Sequence, residues 1–269
     1  MHPPGPLSFG IPDEWRDFER RHEHFLKYVL PPLSDAATRV FARTIESGHP
    51  HERVAFMLGR HVPEDFSEIL LLCANGYGMG ALKLLRPIYE RVVTMVYLLR
   101  NASEIERFMD WRLVEKRKML GRLKDEGDEP TNYLTAEEIA QIETDYQQVQ
   151  GKFPKKPRSW SRLDLKTMAG KVGLETLYLS LCVWPTWQIH TTAIGMTARI
   201  EATAETVSFK IGAQREVADR ALLGAHTCLL MALAEHAQHF GLTVDTAPLF
   251  AQHKGYWDRP ATEVEERRA

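Results

Sequence analysis

The stretch Asn75–Arg100, NGYGMGALKLLRPIYERVVTMVYLLR, decides the fold of this chain. Its first residues, 75–78, contain Asn and Gly, which tolerate the positive backbone angles that a tight turn needs. A long apolar segment follows the turn, and the apolar segment before it, DFSEILLLCAN at residues 65–75, also has helical character. We therefore expect an antiparallel helical hairpin, around which the remaining helices pack.

Three residues interrupt the apolar character of the second helix of this hairpin. Arg86 and Glu90 are four residues apart and share one face, and burying two charges is costly unless they are paired or hydrogen-bonded. Pro87 has no amide hydrogen and leaves the carbonyl of Lys83 without its usual partner, which predicts a kink. Arg86 and Glu90 form either an ion pair that fixes helix packing, which is the commoner outcome, or part of a functional pocket.

A second polar position is His190, the last residue of the segment YLSLCVWPTWQIH at residues 178–190. Pro185 within this segment again leaves a backbone carbonyl without its helical partner. If the two Pro-containing helices pack together, Arg86, Glu90 and His190 converge in a semi-buried pocket, with Tyr178 upstream. A His beside a Glu can act as a general acid or base near neutral pH. A lone His in an aromatic-rich helix is more often a hydrogen-bonded core residue, so both interpretations stay open.

These features, in this order, resemble a bacterial family. They are ALKLLRPIYE at residues 81–90, Trp160, and YLSLCVWPTWQIH at residues 178–190, followed by Thr191, Thr192 and Gly195. The resemblance is to the domain of unknown function 5677, whose pattern is an Arg-x-x-x-Glu helix and a later helix with Tyr, Ser and His. It extends over about residues 65–195 and implies an all-helical fold but no reaction. The positions that match this pattern are Arg86, Glu90, Tyr178, Ser180 and His190.

Composition and charge indicate a globular protein of ordinary kind. The chain has 269 residues, of which 44% are hydrophobic and 26% charged, and its net charge of -2 gives no global case for nucleic acid or an anionic membrane. No apolar run reaches the roughly 18–20 residues of a membrane span, and residues 1–12 lack the pattern of a secretory signal. Cys73, Cys182 and Cys228 have no metal-site spacing and are predicted to be buried in a reducing compartment. We therefore expect a cytoplasmic protein that has no membrane contact.

We predict one all-α domain over residues 13–258, an irregular bundle of about eight helices. A loose segment at residues 1–12 precedes it, and a mobile tail at residues 259–269 follows it. Within the domain, residues 103–150 form a peripheral helical hairpin and residues 151–163 a basic connector.

Local signals set the expected helix boundaries. Pro31 and Pro32 are predicted to end the first helix, with Ser34 or Asp35 capping the second, and Pro63 to separate two further helices.

The peripheral hairpin is outlined by two capping boxes. Ser103 with Glu106 begins its first helix and Thr135 with Glu138 its second. Beyond the hairpin, the alternation in Glu205–Ile211, ETVSFKI, predicts one short strand.

The basic connector combines positive charge with aromatic residues. Lys155, Lys156, Arg158 and Trp160 are of the types that contact phosphates and stack on bases, so nucleic acid is one candidate partner. The commoner outcome for such a run is a solvated connector whose Trp160 anchors it to the core.

Two further site patterns carry little weight. HEPN nucleases have Arg followed by His after four to six residues, and this spacing is expected by chance in a chain with 11 His. Its occurrences are Arg16 to His22, Arg43 to His49 and Arg220 to His226. Di-metal bundles need Glu-x-x-His on two helices, and the two matches are Glu19 to His22 and Glu46 to His49. The second match crosses Gly48, so we expect no metal and no cofactor.

The sequence supports three functional hypotheses. In the first, Arg86 holds a small anionic or nucleotide-like ligand, Glu90 orients Arg86 or His190, and His190 handles protons, with catalysis left open. In the second, the same residues only fix the packing of the helices, and the chain is a structural or regulatory interaction module without catalysis. This hypothesis is compatible with a homo-oligomer. In the third, the chain is a HEPN-like protein that binds or cleaves RNA.

Overall fold

The computed structural model describes residues 13–44, 49–155, 157–190, 193–197, 200–203, 205–209 and 212–258. The described residues form an all-α protein, as predicted. Its helices are α1 (Glu14–Arg21), α2 (Leu30–Phe41), α3 (Pro50–Ala74), α4 (Gly78–Arg100), α5 (Ile105–Asp125), α6 (Ala136–Val149), α7 (Leu165–Val172), α8 (Trp184–Ile189), α9 (Ala193–Thr197), α10 (Arg215–His239) and α11 (Ala247–Trp257). The predicted loose segment and mobile tail lie outside the described residues.

Helices α3, α4 and α10 pack together as the centre of the bundle. The predicted turn between α3 and α4 is confirmed, with Gly76 at φ 79° and the amide of Tyr77 donating to the carbonyl of Leu72 at 2.9 Å. At Gly78 a Cβ atom would lie 2.5 Å from the carbonyl oxygen of Gln214, so only glycine lets α4 start this close to α10.

The prediction that Pro31 and Pro32 end the first helix is wrong. A π-helical turn at Phe25–Val29 leads directly into α2, and both prolines lie in the first turn of α2, so the backbone stays helical through them. Ser34 and Asp35 therefore lie inside α2 and do not cap it.

Pro63 does not separate two helices either, because α3 continues through it. A proline inside a helix costs about 3 kcal/mol. Burial of the neighbouring Val62, Phe66 and Ile69 in the main core offsets that cost. α4 likewise continues through Pro87.

The peripheral hairpin consists of α5 and α6 and has a small core of its own, formed by Val114, Val149 and Phe153. The capping box predicted at Thr135 is confirmed: its hydroxyl accepts from the amide of Glu138 at 3.2 Å, and the Glu138 carboxylate accepts from the Thr135 amide at 2.8 Å.

The box predicted at Ser103 is wrong. A 3₁₀ turn at Ala102–Glu104 occupies that position, and α5 starts after it without a side-chain cap from any described residue.

Two short strands, β1 (Ile200–Ala202) and β2 (Val207–Phe209), pair antiparallel. β2 lies in the segment predicted as a strand, whereas β1 was not predicted. Of the helices in the described ranges, α10 alone is long and apolar enough to cross a membrane, and 61% of its apolar window is buried inside the bundle. A central core helix has this composition. All three cysteines are buried, as predicted.

Candidate functional site

The two Pro-containing segments pack side by side, as the pocket hypothesis requires. Nη1 of Arg86 on α4 donates to Oγ1 of Thr186 on α8 at 3.1 Å, and the hydroxyl of Tyr89 donates to the carbonyl of Leu174 at 2.9 Å. Later residues of α4 thus pack against earlier residues of the partner segment, by which we mean residues 174–190. The two run antiparallel, which places Glu90 on the Cys182 side of Arg86.

The partner segment contributes one line of polar side chains. Tyr178, Cys182, Thr186 and His190 follow each other at intervals of four residues, the spacing that keeps side chains on one face of a helix. A π-helical turn at Leu179–Val183 leads into α8, which contains Pro185, so the backbone stays helical along this line. The hydroxyl of Thr186 donates to the carbonyl of Cys182 at 2.6 Å, so its lone pairs are free to accept from Arg86.

Arg86 is held by two acceptors that fix the direction of its guanidinium group. Nε donates to Oε1 of Glu90 at 2.8 Å, and Nη1 donates to Thr186. The side chains of Arg86 and Glu90 are 41% and 40% exposed, so this pair lies at the surface of the bundle. The hydrogen bond to Glu90 raises the pKa of Arg86 above its ordinary value. Within the described residues, Nη2 makes no hydrogen bond.

Tyr178 and Cys182 form the inner wall of the cluster. The Tyr178 ring lies 6.5 Å from the ring of Tyr89, measured between centroids. Burial raises the pKa of both Tyr178 and Cys182, and the positive charge of Arg86 only partly opposes this. Cys182 is therefore a neutral thiol, and the cluster contains no thiolate nucleophile.

His190 lies at the rim and not inside the cluster. It ends α8, its amide donates to the carbonyl of Thr186 at 3.2 Å, and its side chain is exposed, so the expected semi-buried His190 is wrong. The antiparallel packing puts His190 about one helical turn, roughly 6 Å, beyond Thr186 and away from Glu90. Arg86, Glu90 and Tyr178 are brought together, and His190 flanks them. Ser180 is exposed and donates to the carbonyl of Leu177.

Cys182 and Thr186 are members of this cluster that we did not single out from the sequence. The signal for them was the twelve-residue separation of Tyr178 and His190, which Cys182 and Thr186 divide into intervals of four residues. We call Arg86, Glu90, Tyr178, Cys182 and Thr186 the α4–α8 cluster.

The basic connector is anchored by its aromatic residues. Phe153 and Trp160 are both buried, and Trp160 packs edge-on against Phe108 with 5.1 Å between centroids. Arg107 covers the ring of Phe153 at 4.5 Å and donates to the carbonyl of Trp160. Trp160 is therefore not available to stack on a base.

Lys155 and Arg158 are exposed at a surface groove of about 720 Å³ between the connector and the helical hairpin. Its other charged lining residues are Arg117, Lys118, Arg122 and Asp125. Arg117 pairs with Glu143, and Lys118 donates to the carbonyl of Pro157. The remaining predicted contact, Lys156, lies outside the described residues.

The HEPN-type spacing at Arg220 and His226 does not form a joint site. His226 is fully buried, accepts from Nε1 of Trp257 at 3.2 Å, and has its pKa lowered by burial to about 3. Arg220 is exposed and lies over the ring of Trp184 at 5.2 Å.

The di-metal pattern at Glu19 and His22 does not form a site either. Glu19 is exposed and accepts from Trp15, whereas His22 is buried and contacts Asp219. The other glutamate of the pattern, Glu46, lies outside the described residues.

Comparisons with known proteins give one finding. No curated protein and no solved structure matches the chain. One family model matches residues 53–206, which is more than half of the chain and includes the whole α4–α8 cluster. That model is described as a family of unknown function, DUF5677, the family that the Arg86 and His190 segments resemble. This chain therefore belongs to the DUF5677 family.

Proposed function

We propose that the α4–α8 cluster binds a small anionic ligand through the edge of the Arg86 guanidinium that no described residue occupies. The observation that carries this proposal is the arrangement of Arg86 itself. Glu90 and Thr186 take its Nε and one Nη1 hydrogen, and the group is 41% exposed. A guanidinium held in one orientation with donors remaining is suited to a carboxylate or phosphate, which accepts two parallel hydrogen bonds.

The charges around Arg86 limit where the anion binds. Glu90 neutralises Arg86 on one side, so an anion would be repelled there. On the other side, Lys83 is exposed one turn earlier on α4, and His190 flanks Thr186. The anion is therefore proposed to contact Arg86 from the side of Lys83 and His190. His190 follows Thr186 by four residues, roughly 6 Å along a helix axis, so a small ligand such as one phosphate or one short carboxylate is expected.

His190 supplies the proton chemistry in this proposal. Imidazole is the side chain that most often exchanges protons with ligands in proteins, and His190 is exposed beside the site. Glu90 does not take part in that exchange, because its carboxylate is hydrogen-bonded to Arg86. The role of Glu90 is to hold Arg86 in place.

Ligand binding is tested with a panel of anions that includes inorganic phosphate, mononucleotides and short dicarboxylates. Thermal unfolding selects an anion that raises the melting temperature of the wild-type protein, and calorimetry then measures its dissociation constant. We expect Arg86→Gln to weaken binding at least tenfold. Arg91→Gln is the matched control, because Arg91 also lies on α4 and pairs with Asp65 at 2.8 Å on another face. The control should bind like wild type.

Two results would overturn the proposal. One is a wild-type protein that binds no anion of the panel. The other is an Arg86→Gln variant that binds as tightly as the Arg91→Gln control.

A structural or regulatory interaction module is the rival, and the Arg86–Thr186 hydrogen bond favours it, because it joins α4 to α8. In that case Arg86→Gln lowers the melting temperature, because it removes a contact between α4 and α8, and no anion restores the melting temperature.

The groove of Lys155 and Arg158 supports nucleic acid as a second candidate ligand. We expect replacement of Arg122, Lys155 and Arg158 by Gln to weaken single-stranded RNA binding and flatten its salt dependence. No wild-type RNA binding at low salt would remove this candidate.

A further inference from the structure

Two histidines and a glutamate converge at the end of the bundle where α3 begins and α10 ends. His51 and Glu52 lie in the first turn of α3, and His239 is the last residue of α10. One donor atom from each of the three side chains lies within 4.8 Å of the other two. Nε2 of His239 is 3.4 Å from Oε1 of Glu52. The two helices meet here although 187 residues separate the two partners.

The local structure of α3 orients the carboxylate. Oε2 of Glu52 accepts from the backbone amide of His49 at 3.1 Å, which leaves Oε1 directed at His239. The ring of His51 stacks on that of His49 at 5.7 Å, and it lies 6.4 Å from the His239 ring, at a right angle to it. Imidazole nitrogens and a carboxylate oxygen thus converge from two different helices.

We propose that His51, Glu52 and His239 bind one divalent transition-metal ion of the Zn²⁺ class. Imidazole and carboxylate ligands suit Zn²⁺, Co²⁺ and Ni²⁺, and three protein ligands with a remaining position for water is a common arrangement for zinc. Bonds of about 2.0–2.1 Å place tetrahedral ligand atoms about 3.3 Å apart. The His239–Glu52 pair already has this separation. His51 reaches it by rotating a side chain that is only half-buried.

Two groups of the site attract a cation, against the partial positive charge at the start of α3. The first is the end of α10 at His239, where the aligned peptide dipoles give the helix a partial negative charge. The second is the side chain of Glu52, because a carboxylate binds a metal ion as an anion. A bound ion would join the start of α3 to the end of α10.

The test uses tag-free, full-length protein that has been treated with a chelator and dialysed. Zn²⁺ is titrated against a chromophoric chelator, and Co²⁺ is titrated with detection of the visible absorption of a tetrahedral ion. We expect one ion to bind per chain. His239→Ala and Glu52→Gln should each weaken Zn²⁺ binding at least tenfold and reduce the Co²⁺ absorption.

The chain offers a matched control for this test. His61 is also an exposed histidine on α3, and its Nδ1 contacts a carboxylate oxygen of Glu64 at 2.9 Å. It has a His–Glu pair but belongs to no group of three metal-binding side chains within the described residues. His61→Ala should therefore bind Zn²⁺ like wild type.

His239 is exposed at a helix end, so His239→Ala is expected to keep its circular dichroism spectrum, and it decides the outcome even if a variant at Glu52 unfolds. The proposal is overturned if wild type binds no Zn²⁺, or if His61→Ala weakens binding as much as His239→Ala does.

Discussion

Two polar clusters of this protein use the same residue types in opposite ways. In the α4–α8 cluster, Arg86 and Glu90 are about two-fifths exposed, and Nη2 of Arg86 makes no hydrogen bond to a described residue. In the second cluster, between α1, α10 and α11, the Arg21 side chain is only 5% exposed and donates to both Asp17 and Asp219. We call this second group, with His22 and Tyr256, the α1–α10 network.

The α1–α10 network is buried and densely paired. His22 is buried, with Nε2 3.0 Å from Oδ1 of Asp219 and Nδ1 2.5 Å from the hydroxyl of Tyr256. Removing one partner of a buried charge pair leaves the other uncompensated, which costs several kcal/mol, whereas an exposed pair contributes about 0–1 kcal/mol. Burial with pairing is therefore typical of a structural network. Partial exposure, with a donor that no described residue occupies, is what the proposed anion site at Arg86 requires.

The largest expected effect is on the stability of the α1–α10 network. Asp219→Ala removes the acceptor of both Arg21 and His22, and we expect the free energy of unfolding to fall by about 3 kcal/mol. The value is at the lower end for a buried pair because the Asp219 side chain is 33% exposed. Urea denaturation measures it. Asp35→Ala, which breaks the exposed Asp35–Arg39 pair, is the control and should cost under about 0.5 kcal/mol.

Acid should weaken the same network. Burial by itself raises the pKa of Asp219, but the hydrogen bonds and charges of His22 and Arg21 outweigh it and lower that pKa. A lowered pKa in the folded state adds stability above the unfolded value of about 3.9, and that stability is lost as the pH falls through the folded value. Below about pH 5, wild type should therefore lose stability more steeply than Asp219→Asn. Parallel pH profiles would contradict this assignment.

Tyr256→Phe tests the outer end of the network. It removes the hydroxyl that contacts Nδ1 of His22 and leaves a buried ring nitrogen without that partner. We expect a loss of about 1–2 kcal/mol in the free energy of unfolding. Tyr133→Phe is the control, because its hydroxyl donates to Asp128 at an exposed site. A cost equal to that of the control would mean that His22 does not need the hydroxyl.

The smallest effect on stability is expected in the α4–α8 cluster. Arg86→Gln breaks a half-exposed pair and one bond to Thr186, so the free energy of unfolding should fall by about 1 kcal/mol or less. The same urea titration measures it beside Asp219→Ala. A loss as large as that of Asp219→Ala would make Arg86 a structural lock and remove the contrast between the two clusters.

Local sequence signals predicted the features that depend on neighbouring residues. The turn at residues 75–78 and the capping box at Thr135 are of this kind. The proline predictions were wrong because π-helical turns and the burial of neighbouring side chains decide whether a helix continues, and neither is visible locally. Asp219 was unpredictable as the partner of His22, because 197 residues separate them.

The candidate site was predictable in part for the same reason. Arg86 and Glu90 pair within one helix, so their spacing predicts the contact. Thr186 could have been found from its four-residue interval to His190. The exposure of His190 could not have been predicted, because it depends on where α8 ends relative to the bundle.

The central claim is that the Arg86 guanidinium is oriented to donate hydrogen bonds to an anion. The NMR signals of the arginine side chains test this claim most directly. Inorganic phosphate, or the tightest anion of the panel, is titrated into ¹⁵N-labelled protein while the Nε and Nη signals of Arg86 and Arg91 are followed. We predict that the Arg86 signals shift and saturate with the dissociation constant found by calorimetry, while those of Arg91 stay in place. Equal, unsaturated shifts of both arginines would contradict the claim.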